Sequence, residues 1–144
     1  MSSLTYGNVI CLNFFTHEFL HTLEKYPYPA IDILAIKLSE GLREIISWQW
    51  TARFLGKVFN KKSSYFFDIL ANNSPIYKNE TTILKPIFDR FKNRGIFSKT
   101  EEILNQNKHD DIFDDFTALI IRLSDREISN EITNNLIEQL KKET

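Results

Sequence analysis

A single cysteine, Cys11, cannot form an intramolecular disulfide and supplies no thiolate pair for a structural zinc site. Its isolation fits a reducing, cytoplasmic setting. Glycine and proline are equally scarce, four of each in 144 residues, too few turn formers for the many short strands of an all-β chain. The opening stretch MSSLTYGNVICLNFF has no basic segment and is too short and too polar for a signal peptide or a membrane span. No phosphate-binding glycine loop, nucleophile–base pair, fixed-period repeat or low-complexity linker interrupts it. These absences leave one domain, residues 1–144, of a size that buries a single core.

What is present is helical. Apolar residues recur mostly at 3.6-residue spacing, and twelve phenylalanines supply bulky contacts between helices. The pattern predicts an all-α, compact bundle of six to eight helices. A first helix runs through FFTHEFLHTLEKY and stops before Pro27 and Pro29. Over NVICLNFF (8–15) a short N-terminal strand is the alternative to helix. A long second helix covers about Ala30 to Phe59, with Ile31, Leu34, Ala35, Leu38, Leu42, Ile45 and Ile46 on one stripe. Ser63 or Ser64 caps a short helix, SYFFDILA. Thr81 or Thr82 precedes another, in which Pro86 is a start or a kink and Gly95 a stop. Ser98–Glu101 and Ser124–Glu127 read as capping boxes, and Ile112, Phe113, Phe116, Leu119, Ile120 and Leu123 share the apolar face between them.

Residues 17–21 read HEFLH. Histidines at i and i+4 lie one helical turn apart, so both imidazoles can reach one Zn²⁺, while the intervening glutamate can serve as a base toward water. Eighteen residues later stands Glu40-Gly41. The whole HEFLH-x18-EG pattern resembles the gluzincin peptidases of the aminopeptidase type. That resemblance implies zinc held by His17, His21 and Glu40, with Glu18 as the general base, and it covers residues 17–41. The helical wheels give a different expectation. His17 and His21 fall on the polar side of their helix, opposite Phe15, Phe19 and Leu23, and Glu40 falls opposite the apolar stripe of its own. Helices packed through their apolar sides direct the three side chains apart. Only sixteen residues precede the motif, leaving no room for a substrate-holding sheet upstream. On this reading the three do not converge, and the chain has no metal, no cofactor and no catalytic residue.

Charge is unevenly distributed. Residues 53–99 carry ten basic against three acidic side chains, and residues 100–144 five against eleven. Asp110, Asp111, Asp114 and Asp115 gather the acid on one helix N-terminus, which favours negative charge. Small size, abundant aromatics and this acidic face predict a cytoplasmic protein-binding inhibitor of the immunity or antitoxin type. Its partner would be a protein with a basic surface, such as a nuclease toxin, with no membrane involved. The minimal zinc metallopeptidase is the alternative reading. A single-stranded nucleic-acid-binding protein is the third, from lysines and arginines interleaved with Tyr65, Phe88 and Phe91, although Phe88 and Phe91 at i and i+3 fit a core better.

Overall fold

The computed structural model describes residues 5–26 and 30–142, apart from the side chain of Arg126. Among them the only regular elements are helices: α1 (Tyr6–His21), α2 (Ile33–Phe59), α3 (Ser63–Asn73), α4 (Lys78–Phe91), α5 (Ile96–Gln106), α6 (Ile112–Leu123) and α7 (Arg126–Lys142). Short 3₁₀ turns at Lys92–Arg94 and His109–Asp111 lead into α5 and α6. Seven α-helices fall within the expected six to eight. No described helix is long and apolar enough to cross a membrane.

α2 is the axis of the bundle. Its 27 residues span about 40 Å at 1.5 Å per residue, and it packs against each of the other six α-helices. Consequently it is buried around its whole circumference from Gly41 to Trp48, not along one stripe. Leu38, Leu42, Ile45 and Ile46 join Phe66, Leu84, Phe88 and Phe116 in one core. Phe88 sits 5.0 Å from Phe97 and 6.3 Å from Phe116, ring centroid to centroid, so this pair is core, as its spacing predicts. Trp48 is buried while Trp50 is half-buried, its indole donating to Glu101. The other end of the predicted stripe fails: Ile31 is 90% exposed, because α2 begins only after Asp32, whose carboxylate caps Leu34 N at 3.0 Å.

Several local expectations are corrected. NVICLNFF is helix, not strand; α1 starts at Tyr6 with the Thr5 hydroxyl accepting from Asn8 N at 3.2 Å. α1 ends at His21, and Pro27 and Pro29, the expected stop, lie outside the described residues. Ser63 is the first residue of α3 and Lys62 its cap. Thr81 and Thr82 lie inside α4, their hydroxyls turned back to the Lys78 carbonyl at 3.3 and 2.6 Å. Neither capping box forms. Gly95, at φ +78°, both closes the preceding turn and opens α5, so Ser98 is already within the helix. Ser124 ends α6, its hydroxyl bonded to the Ile120 carbonyl, and Asp125 instead caps α7 by accepting from Ile128 N at 2.9 Å.

Candidate metal centre

α1 inverts the expected amphipathic logic. Its buried residues are Val9, Asn13, His17 and Leu20, whereas Phe14, Phe15 and Phe19 are exposed. The polar stripe of α1 faces a matching stripe on α2. Asn13 meets Glu44 and Ser47, and His17 meets Glu40 and Glu44, so the two helices run antiparallel. Burying such groups is costly unless they are paired, and pairing is what the two stripes supply.

The expectation that His17, His21 and Glu40 point apart is therefore overturned. His17 is 1% exposed, and its Nε2 stands 3.1 Å from Oε2 of Glu40. His21 Nε2 stands 3.6 Å from Oε1 of the same carboxylate. One donor atom from each of the three lies within 4.8 Å of the others. The physical reason is that α2 is enclosed on all sides. Its face opposite the apolar stripe is not solvent but the seat of α1, and Glu40 has nowhere to go except among the histidines.

Each imidazole is backed by a second carboxylate. His17 Nδ1 lies 3.4 Å from Oε2 of Glu44, and His21 Nδ1 lies 2.9 Å from Oε1 of Glu24. Arg43 reaches across both helices, with Nη1 donating to Glu40 Oε1 at 2.7 Å and Nη2 lying 2.7 Å from Glu24 Oε1. His109, from the turn before α6, pairs through Nε2 with the other oxygen of Glu24 at 2.7 Å. Three carboxylates face one guanidinium here, and their charge draws protons onto His17 and His21. The carboxylate of Glu24, and then that of Glu40, raise the His21 pKa to about 9. Burial pulls His17 down, yet Glu40 and Glu44 outweigh it and leave the group raised. Burial likewise works against the Glu40 carboxylate, but His17, His21 and Arg43 hold its pKa well below the usual carboxylate range.

Tyr77 closes the outer side. It caps α4 in left-handed backbone, φ 51° and ψ 36°, a conformation a tyrosine adopts only under constraint. Its ring stacks on His17 at 5.4 Å with a 19° interplanar angle. Partial burial and then the charges of Glu40, Glu18 and Glu44 push its phenol up to about 12. Glu18 is exposed and His21 is half-buried, so the centre is enclosed on the bundle side, covered by Tyr77 over His17, and reached by solvent at His21. Gly41 makes the enclosure possible: a Cβ there would lie 2.7 Å from Glu80 Cβ and 2.8 Å from Leu84 Cδ1, so only glycine lets α4 seat this closely beside Glu40.

The residues present fit a zinc-class ion. At metal–donor distances near 2.1 Å, tetrahedral donors stand about 3.4 Å apart; His17 and His21 lie 3.1 and 3.6 Å from the two oxygens of Glu40, and one atom from each residue falls within 4.8 Å of the others. Carboxylates stand behind both imidazoles at ion-pair distance, the position from which metal-bound histidine is usually supported. Glu24, Arg43, Glu44, Asn13, Tyr77 and His109 were not singled out by motif. For Asn13, Arg43 and Glu44 a signal existed: Asn13 and His17 on α1, and Glu40, Arg43, Glu44, Ser47 and Thr51 on α2, repeat at helical spacing as two polar stripes.

The acidic group is split by the fold. Asp110 accepts from Ile31 N at 3.0 Å and Asp115 from Asn107 Nδ2 at 2.6 Å, whereas Asp111 and Asp114 are exposed. Comparison with protein-family models, curated proteins and solved structures gave no match, so function is argued from this geometry.

Proposed function

We propose that the chain is a zinc-class metalloprotein with a hydrolytic centre, in which His17, His21 and Glu40 hold the ion. The reading rests on one observation: two imidazole nitrogens and one carboxylate oxygen converge within 4.8 Å, with further carboxylates at ion-pair distance behind both imidazoles and His21 partly exposed. Three protein donors with an open side are the pattern of catalytic, not structural, sites. A bound ion would supply a Lewis acid that polarises a carbonyl and acidifies water.

The chain's own groups have separate tasks. Glu24 and Glu44 support the imidazoles at Nδ1, and Arg43 neutralises the carboxylate oxygen of Glu40 that faces away from His17. Glu18, exposed to solvent, offers a carboxylate to take up a proton. Tyr77 shields His17 from bulk water. Peptide bonds are the substrate class that the HEFLH-x18-EG resemblance implies. Elemental analysis of protein purified without chelators, followed by zinc titration of the stripped chain, tests the metal; one ion per chain is expected, and none after add-back overturns it. Cleavage of a quenched fluorescent peptide mixture, lost in Glu18→Gln with zinc retained, tests the hydrolysis.

A protein-binding role of the inhibitor type stands as a second reading, supported by the exposed carboxylates of Asp111 and Asp114 beside Lys108 and Tyr26. Its contact set is narrower than the sequence suggests, because Asp110 and Asp115 are engaged within the fold.

A further inference from the structure

A cleft lies between the end of α3 and one face of α4, with Trp48 of α2 at its base. Trp48, Asn72, Ser74, Lys78, Lys85 and Asp89 line it. Two of these carry buried polar atoms with no hydrogen-bond partner: the indole Nε1 of Trp48, a residue 2% exposed, and the hydroxyl of Ser74, 8% exposed. A buried polar group left unpaired costs about 1–3 kcal/mol, so two at one cleft call for an acceptor. Trp50 is the internal contrast, its indole being satisfied by Glu101.

We propose that this cleft binds a small oxyanion of the phosphate class. The indole N–H can only donate, and the ammonium groups of Lys78 and Lys85 can only donate. Lys78 and Lys85 lie on one face of α4, seven residues apart, and Asp89, the one acid among the six, is held by Lys85 at 2.8 Å. The cleft begins at the N-terminus of α4, whose cap, Tyr77, contributes no side-chain hydrogen bond. That end of a 14-residue helix therefore presents uncapped amides and the positive pole of its dipole. The one acid in its first turn, Glu80, packs toward Gly41 on α2. The unpaired indole, two lysines and a helix N-terminus together select an anion rich in acceptors. The assignment uses none of the three proposed metal donors.

The test follows the two tryptophan indole resonances by ¹H–¹⁵N NMR, assigned with Trp50→Phe, during titration with inorganic phosphate and separately with phenyl phosphate. The Trp48 indole signal is expected to shift saturably with at least one of them and not with chloride at equal ionic strength. A response to phosphate alone identifies the free ion, and one to both a monoester. Lys78→Gln removes one charge-assisted contact and should weaken the response about tenfold or more with unchanged melting temperature. His21→Ala, which disables the metal centre, should leave it intact. No saturable shift with either ligand overturns the proposal and leaves a buried water as the partner of the indole. An unchanged affinity in Lys78→Gln, or loss of the response in His21→Ala, overturns it as well, the latter by placing the phosphate on the metal.

Discussion

The Nε2 atom of His17 and the Oε2 atom of Glu40 stand 3.1 Å apart with 23 residues between them, inside a bundle whose other interhelical contacts are largely apolar. Around this pair a polar stripe of α1 is pressed against a polar stripe of α2. If the arrangement serves a metal, the carboxylates behind the histidines should matter almost as much as the donors. Glu24→Gln keeps the shape but removes the charge that sets the orientation and basicity of His21. Zinc affinity is expected to fall about 10–100-fold, measured by competition with a chromophoric chelator. An unchanged affinity would show that Glu24 serves folding alone.

The proton balance gives a pH signature with a definite sign. The pKa of His21 is raised from its ordinary 6.5 to about 9. Its protonation therefore stabilises the metal-free fold fully below pH 6.5, and that contribution is lost as pH rises through 9. Glu40, whose pKa is lowered, contributes stability above its ordinary 4.5 that is lost only in stronger acid. Stripped protein should thus melt at a lower temperature at pH 9 than at pH 6. With zinc the trend reverses, since the ion displaces protons from both histidines. Thermal melts with chelator and with zinc, at both pH values, check the crossing.

Arg43 is 1% exposed and is shared between Glu24 and Glu40. Removing one member of a buried ionic network leaves the others uncompensated, at a cost of about 3–5 kcal/mol. Arg43→Met should therefore lower chemical-denaturation stability by that order in the metal-free chain. The loss should be smaller at acid pH, where Glu24 and Glu40 begin to take up protons. A loss under about 1 kcal/mol, the usual worth of an exposed pair, would mean that the guanidinium is not needed for charge balance.

How much of this was legible follows from what periodicity measures. The core face of α6, with Ile112, Phe116, Leu119, Ile120 and Leu123, was readable because one side of that helix is apolar and one side wet. α1 and α2 break that premise. A helix buried around its girth has no solvent face to infer, so Glu40 could not be placed by its distance from the apolar stripe. On α1 the residues taken for the buried side, Phe15 and Phe19, are exposed, because the ionic partners of His17 lie across the interface. The HEFLH spacing fixed which residues could meet; whether they met depended on α2 lying at the centre. Tyr77 and His109 carry no local signal, since they arrive from turns far along the chain.

The same contrast between tethered and exposed side chains separates the two functional readings. Asp110 is bonded to the backbone of Ile31, just before α2, and next to it His109 holds Glu24, so this turn clasps the connection between α1 and α2. Asp110→Ala should cost about 1 kcal/mol through loss of that bond. The double reversal Asp111→Lys with Asp114→Lys should stay within about 0.5 kcal/mol of the parent, as surface changes usually do. Urea denaturation measures both. The reversed variant then serves as the probe for a basic protein partner: a retained fold with weakened capture at physiological salt supports an acidic docking face. Unchanged capture moves any partner to another surface, while zinc content, governed by His17, His21 and Glu40, should be the same in both proteins.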